Sequence, residues 1–420
     1  MNNSEKFLIR KSILDLARTG MPRSTSIDDD IRHNNQNKNS YETVNLWDYV
    51  TALGAQLSRP AYDPYREAIN LDTTIGRSSS YKINLTIPLL IYENMLFSND
   101  VLEAVHRTLN RLAEEGNVLG FVSEDEIKNT TANKRKYPWF KKIPSNTTAT
   151  NQLKSYQIDS PQGIVLEYED HNSIKLLQNL RKEFEYPILV DISNIFPNYI
   201  NEILDTGVDG IIVDTEKVKK RNEIYKTKHA IAVIHDTRNA LNEYSKMVNK
   251  RNRSNLHQDC NNNNNNNDDD IKSCHGSAEV TLVIAGDVNT TGKIIKSVAL
   301  GADIIGYSTS MLIAYSEIFS DRLFEIDFVT ERVYSHMIAT KEEIKGIPAA
   351  LGYSNFHNLT PSDLRTSSIE ASLQGDILLE GVDQTYYEII DGILDEYIGE
   401  NKIQISLEER KEILKSLVRH

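Results

Sequence analysis

Eight short apolar runs recur along this chain with helix-patterned segments between them, and that alternation limits the fold more than any other feature. The runs are IPLLIY (87–92), VLGFV (118–122), KYPWF (136–140), GIVLEY (163–168), PILVDI (187–192), GIIVD (210–214), TLVIAG (281–286) and DIIGYS (303–308). Unbroken apolar runs suit strands covered on both faces, as in a parallel sheet wrapped by helices. Eight of them in alternation predict an α/β fold, a (β/α)8 TIM barrel. The intervening helices carry the matching stripes. Leu102, Val105, Leu109 and Leu112 share one face, as do Ile174, Leu177 and Leu180, and both stripes read as core packing.

The rest of the chain is arranged around that barrel. Residues 1–43 read as a short helix around 4–18 followed by a polar linker, 44–330 as the barrel, and 331–420 as a helical extension. Within the barrel, the Asn-rich stretch 250–277 has too little apolar area to offset its ordering entropy and reads as a disordered insertion between a helix and the seventh strand. Beyond the barrel, LTPSDLRTSSIEASL (359–373) has the signs of a helix start in Thr360, Pro361 and Asp363. Two further amphipathic helices are expected at TYYEIIDGILDEYI and SLEERKEILKSLV.

A formal net charge of −13 with no basic stripe argues against nucleic acid or an anionic membrane as partner. No apolar stretch reaches the roughly eighteen residues of a membrane span, and the opening MNNSEKFLIRK has no signal-peptide core, so a cytoplasmic protein is expected. Cys260 and Cys274, with His257 and His275 nearby, match no structural zinc spacing, and no metal site is expected.

The chemistry of a parallel barrel gathers where strands end. VIAGDVNTTGKIIKSVALGADIIGYST (283–309) joins two such ends, one at Gly286 and one at Ser308 and Thr309. Small residues there let phosphate oxygens approach backbone N–H groups. Asp287 puts a carboxylate beside that place. Gly286, Gly301 and Ala302 also fit plain β/α chain geometry. Asp191 and Asp214, at two further strand ends, read either as carboxylates bonded to loop amides or as a rebuilt site that takes a cation or acts as acid and base. His357 reads as a local helix-start contact, and Lys217, Lys219 and Lys220 as a solvated charge run or an anion holder.

Several stretches in order resemble one family, the FMN-binding barrel domain of glutamate synthase, in its stand-alone archaeal and bacterial forms and the related subunit of methylamine–glutamate N-methyltransferase. They are WDYVTALGAQLSRPAYDPYREAINLDTTIG (47–76), IPLLIYENMLFSNDVLEAVHRTLNRLAEEG (87–116), YPILVDISNIFPNYINEILDTGVDGIIVDT (186–215), the segment 283–309, and ALGYSNFHNLTPSDLRTSSIEA (350–371). The resemblance implies FMN at the barrel mouth and reductive formation of L-glutamate from 2-oxoglutarate and ammonia. It implies Met95 and Ser98 in the turn beside the flavin, and Gly286, Asp287, Ser308 and Thr309 around the phosphate. Other subunits would supply ammonia or electrons, and an oligomer is expected. No cysteine follows Ala314, so an iron–sulfur cluster is not expected.

The pattern departs from the family where charge matters. Asp191 stands where the family has a lysine against the flavin, and a like charge beside an anionic reduced ring costs about 4 kcal/mol at 4 Å and intermediate dielectric. Thr215 to Lys220 replace a Gly-rich loop, Asp287 replaces a glycine and Asn289 an arginine. Two readings follow: a glutamate-synthase-like enzyme, or a barrel that has lost FMN and survives as a structural or regulatory partner subunit.

Overall fold

A computed structural model describes residues 11, 13–21, 45–53, 59–63, 66–76, 78–91, 99–116, 118–122, 135–143, 161–170, 172–260, 280–306, 326–401, 409, 410 and 413. Its centre is a closed barrel of eight parallel strands. In chain order these are β4 (Leu89–Ile91), β5 (Leu119–Val122), β6 (Trp139–Ile143), β7 (Gly163–Glu167), β8 (Ile188–Asp191), β9 (Gly210–Asp214), β10 (Thr281–Ala285) and β11 (Ile304–Gly306). Each pairs with its successor, and β11 returns to β4 through Ile305 opposite Leu89 and Gly306 opposite Leu90. All eight lie within the apolar runs of the sequence or overlap them, so the expected (β/α)8 architecture is the one observed.

The chain enters by a small hairpin, β2 (Thr73–Ile75) paired with β3 (Ile83–Leu85). Its Ile75, Ile83 and Leu85 belong to the same buried cluster as the barrel interior, which includes Leu90, Phe121, Phe140, Leu189, Ile212 and Val283. The hairpin therefore plugs the barrel at the N-terminal ends of the strands. Asp209, fully buried, fastens it there. One carboxylate oxygen accepts the N–H groups of Ser78 (2.5 Å) and Ser79 (3.0 Å), and the other accepts Ile188 N–H (2.9 Å) and Arg181 Nη2 (2.5 Å).

Around the barrel run α1 (Asn99–Glu115), α2 (Asn172–Glu183), α3 (Ile200–Asp205), α4 (Thr215–Arg221), α5 (Ala230–Cys260), α6 (Thr291–Ala299) and α7 (Ile326–Leu351). The expected stripes are buried: Val105, Leu109 and Leu112 in α1, and Leu177 and Leu180 in α2 with Ile174 packed against the same core. The side chain of Leu102 lies outside the described residues. The first and last of these helices meet, with Arg107 Nη1 2.7 Å from Asp327 Oδ1, which completes the ring.

Two expectations need correction. α5 continues to Cys260, so the first eleven residues of the stretch read as a disordered insertion are helical; residues 261–279 lie outside the described residues. The segment 359–373 is not one helix. Pro361–Asp363 make a single 3-10 turn, Leu364–Thr366 then form the strand β12, and the α-helix α8 (Ile369–Gly375) starts only after a new cap at Ser368. The Thr360 N–H does donate to the Asp363 carboxylate at 2.9 Å, but the turn stops because β12 pairs antiparallel with β1 (Val50–Ala52) and parallel with β13 (Leu378–Leu379). Sheet pairing with a strand more than three hundred residues away overrides a local helix signal. His357 does make the expected helix-start contact, its backbone N–H donating at 2.9 Å to the Asn355 side chain that caps the 3-10 turn Phe356–Asn358, and its Nε2 also meets Thr73 Oγ1 in the strand β2 at 2.6 Å.

The last described helix, α9 (Tyr386–Asn401), matches TYYEIIDGILDEYI; most of SLEERKEILKSLV, the linker over 22–44, Cys274 and His275 lie outside the described residues. No described helix is long and apolar enough to cross a membrane.

Candidate functional site

Strand alternation places Asp191 and Asp214 on the inward side, two residues beyond the interior Leu189 and Ile212, and Asp287 follows Gly286 just past the end of β10. All three therefore stand at the C-terminal mouth of the barrel. Met95, Ser98, Ser308 and Thr309 lie outside the described residues, so the site is described over the strands β7 to β10.

Asp191 is buried, and its Oδ1 accepts both the N–H (3.0 Å) and the hydroxyl of Ser193. The Ser193 hydroxyl oxygen in turn accepts the Asp214 N–H at 2.8 Å, which links the ends of β8 and β9. The other oxygen of Asp191 faces Lys217 Nζ at 3.5 Å, and the same ammonium lies 3.6 Å from Glu167 Oε1 at the end of β7. Burial pulls the Lys217 pKa down, but Asp191 and Glu167 outweigh it and the net direction is up. Lys217 is thus more than a solvated member of a charge run. It brings a positive charge to the end of the fifth barrel strand, from the helix that follows the sixth.

Asp214 is a helix cap. Its Oδ1 accepts Glu216 N–H (3.0 Å) and Lys217 N–H (3.1 Å), so α4 starts directly at the strand end. Backbone geometry fixes the neighbouring residue. Gly286 has φ +102°, and a Cβ there would lie 2.5 Å from Thr215 Oγ1 and 2.9 Å from Asp214 Oδ1. The glycine makes room for the first turn of α4. Thr215 Oγ1 donates to the Ala285 carbonyl (3.1 Å) and accepts the Asp287 N–H (3.3 Å), while Val288 N–H donates to the Gly286 carbonyl (2.8 Å).

Asp287 itself is neutralised. Lys293, buried in the first turns of α6, places Nζ 2.9 Å from its Oδ1. Asp287 is also among the groups that raise the Glu216 pKa, after the crowding of that carboxyl by protein. Further along, Gly301 is explained by packing: it has φ +109°, Arg238 lies against it, and Arg238 bonds the Gly301 carbonyl (2.6 Å) and Asp303 (2.6 Å).

Behind the mouth, His229 precedes α5. Its Nε2 meets Asn45 Oδ1 at 2.9 Å, its Nδ1 accepts Ile231 N–H at 3.4 Å, and its ring stands edge-on to Trp47. Those partners assign the proton to Nε2. Burial, with Lys219 next, pushes its pKa down to about 3, so the ring is neutral. Lys219, half-buried on α4, has its pKa lowered by burial against the opposing pull of Asp287 and Glu216. Sequence reasoning missed the pairings of Lys217 and Lys293 because neither lysine lies on a strand end. The i, i+2 spacing of Lys217 and Lys219 on so short a helix was the available signal: it points them to opposite sides. Among the described residues no group of His, Cys, Asp and Glu is arranged to hold a metal ion.

No protein-family profile matches the chain, and no curated protein matches it. Solved structures do. A substituted flavocytochrome b2 with benzoylformate is 13% identical, with 86% of this chain and 82% of that chain covered and a TM-score of 0.52. The recombinant flavin-binding domain of baker's yeast flavocytochrome b2 is 14% identical, with 76% of each chain covered and a TM-score of 0.50. A substituted active chimera of (S)-mandelate dehydrogenase is 13% identical, with 85% of this chain and 99% of that chain covered and a TM-score of 0.50. At such identities the likeness is one of fold, and this chain is a TIM barrel similar in architecture to those proteins.

Proposed function

We propose that this chain descends from flavin-dependent oxidoreductase barrels, has given up the reduction that forms glutamate, and serves as a structural or regulatory partner subunit. The observation that carries this reading is the mouth's self-neutralisation. Asp191 faces Lys217 and Asp287 is bonded to Lys293, each acid answered by a lysine of the same chain. The described residues also do not fit the FMN phosphate that the resemblance puts at Gly286: the Cβ direction of that glycine is filled by Thr215 and Asp214, and the Asp287 and Val288 N–H groups are already bonded. Ion pairs and a capped helix occupy the rim where a phosphate tail would need open N–H donors.

The test is a visible spectrum of the purified chain after gel filtration, with and without saturating FMN. Absence of retained flavin bands is the expected result, and bands that travel with the protein would overturn the reading. A second reading keeps the enzyme, and Lys217 favours it. An ammonium at the inward end of β8 can replace the lysine that the family places there, and the flavin-binding domain among the similar structures is consistent with that. Retained flavin together with glutamate formed from 2-oxoglutarate, ammonia and a reductant would establish it.

A further inference from the structure

We infer that α9 is a docking helix for a basic amphipathic helix of a different protein, seated on the open side formed by Ile389, Gly392 and Ile393. This rests on the partner-subunit reading and gives the partner its chemistry. α9 has the apolar spacing of a helix that is to be covered: Tyr386, Ile389, Ile390, Ile393 and Leu394 recur at three- and four-residue steps. The matching stripe of α1 is buried, with Leu109 and Leu112 in the core. None of the five in α9 is fully buried, and Ile393 is 58% exposed.

The sides of α9 are used unequally. Its start is tied to the rest of the chain, because Thr385 is buried and the Tyr386 N–H donates to Ser372 Oγ of α8 at 2.9 Å. One long side is taken by Arg410, whose guanidinium lies 2.8 Å from Asp391 and 2.5 Å from Asp395. Ile389 and Ile393 stand four residues apart on the side almost opposite those two acids, with Gly392 between them. A Cβ at Gly392 would meet nothing within 4 Å, so that side is open, and the missing side chain lets a second helix approach closely.

Charge selects the occupant. Tyr386–Asn401 carries the acids Glu388, Asp391, Asp395, Glu396 and Glu400 and no basic residue. A second copy of this chain would bring the same acidic helix and a net charge of −13, so like charges oppose that pairing. A helix whose apolar stripe is flanked by Arg and Lys is attracted instead, and the Arg410 contacts show that acids of α9 take a guanidinium in pairs. Apolar anchors at helical spacing would fill the open side.

The full chain is titrated into a fluorescent synthetic peptide of about 18 residues, long enough to be helical, with leucines at helical spacing and Arg and Lys on both flanks. A counterpart peptide has Glu at every charged position. Anisotropy should rise with the basic peptide alone, and less as salt is raised. Ile393→Asp and Gly392→Leu should each weaken binding roughly tenfold, as expected at the centre of an interface, while Ile224→Asp, at an exposed residue between α4 and α5, should leave it unchanged. Both α9 positions are exposed, so these variants keep the parent's fold. No binding of the basic peptide, equal binding of the acidic one, or parent-like affinity in Ile393→Asp would each overturn the assignment. So would sedimentation that finds the parent dimeric and Ile393→Asp monomeric, which would give the face to a second copy. Flavin retained after gel filtration overturns the partner-subunit reading by a separate measurement, so the two failures are told apart.

Discussion

The two ends of the barrel use carboxylates in opposite ways. At the floor, the single buried Asp209 gathers donors from the hairpin, from the start of β8 and from α2, segments up to 131 residues apart. At the mouth, Asp191, Asp214 and Asp287 are bonded within their own β/α units or to the next helix over, to Ser193, to the first turn of α4, and to Lys217 and Lys293. The floor acid holds the topology together. The mouth acids each hold a loop, so the mouth can be rebuilt without disturbing the barrel, the division of labour that lets this fold change chemistry by changing loops.

That contrast can be broken by substitution. The largest effect is expected for Asp209→Ala, which strands a guanidinium and three backbone N–H groups; a loss of about 3–5 kcal/mol is expected from the removal of one member of a buried charged network. Chemical denaturation measures it, and a loss below about 1 kcal/mol would mean that the floor is not fastened there. Gly286→Ala comes next, at about 2–3 kcal/mol, because it combines a left-handed φ with a Cβ pressed on the capped turn of α4. If the glycine served a ligand instead, the variant would unfold like the parent and differ only in binding.

A third effect is absent at neutral pH and appears only as the medium is acidified. The folded pKa of His229 lies below the ordinary histidine value, so the unfolded chain binds the proton more tightly. Its contribution is fully present above about pH 6.5 and is lost as pH falls toward about 3, at up to about 1.4 kcal/mol per pH unit. His229→Gln should flatten the acid limb of the stability curve by one proton. His336, buried in α7 with its pKa likewise pushed down to about 3, gives the same slope and serves as the comparison from outside the mouth. The smallest effect is expected for Lys217→Met, under about 1 kcal/mol, since its partners lie at 3.5 and 3.6 Å and Glu167 is well exposed. A loss of several kcal/mol would make this ion pair a structural element comparable to the floor.

Much of the fold is legible in the sequence because covered parallel strands need unbroken apolar runs. The runs at 187–192 and 210–214 became β8 and β9 with their acids at the strand ends, as read. The helix signal at Thr360 to Asp363 misled because a pairing partner at Val50–Ala52 is invisible to any local window. The site was only half legible. Its carboxylates follow from strand position, but their neutralisation depends on how α4 and α6 lie against the rim.

The sequence by itself determined that this chain closes an eight-stranded barrel and that acids stand at its mouth, since strand period and apolar run length are local properties. Only the tertiary structure decided that those acids are answered by Lys217 and Lys293, that Asp209 ties down the floor, and that Gly286 yields its space to a helix turn. Each of these depends on a distance between segments far apart in the chain, and Coulomb and hydrogen-bond energies are set by that distance rather than by position in the sequence.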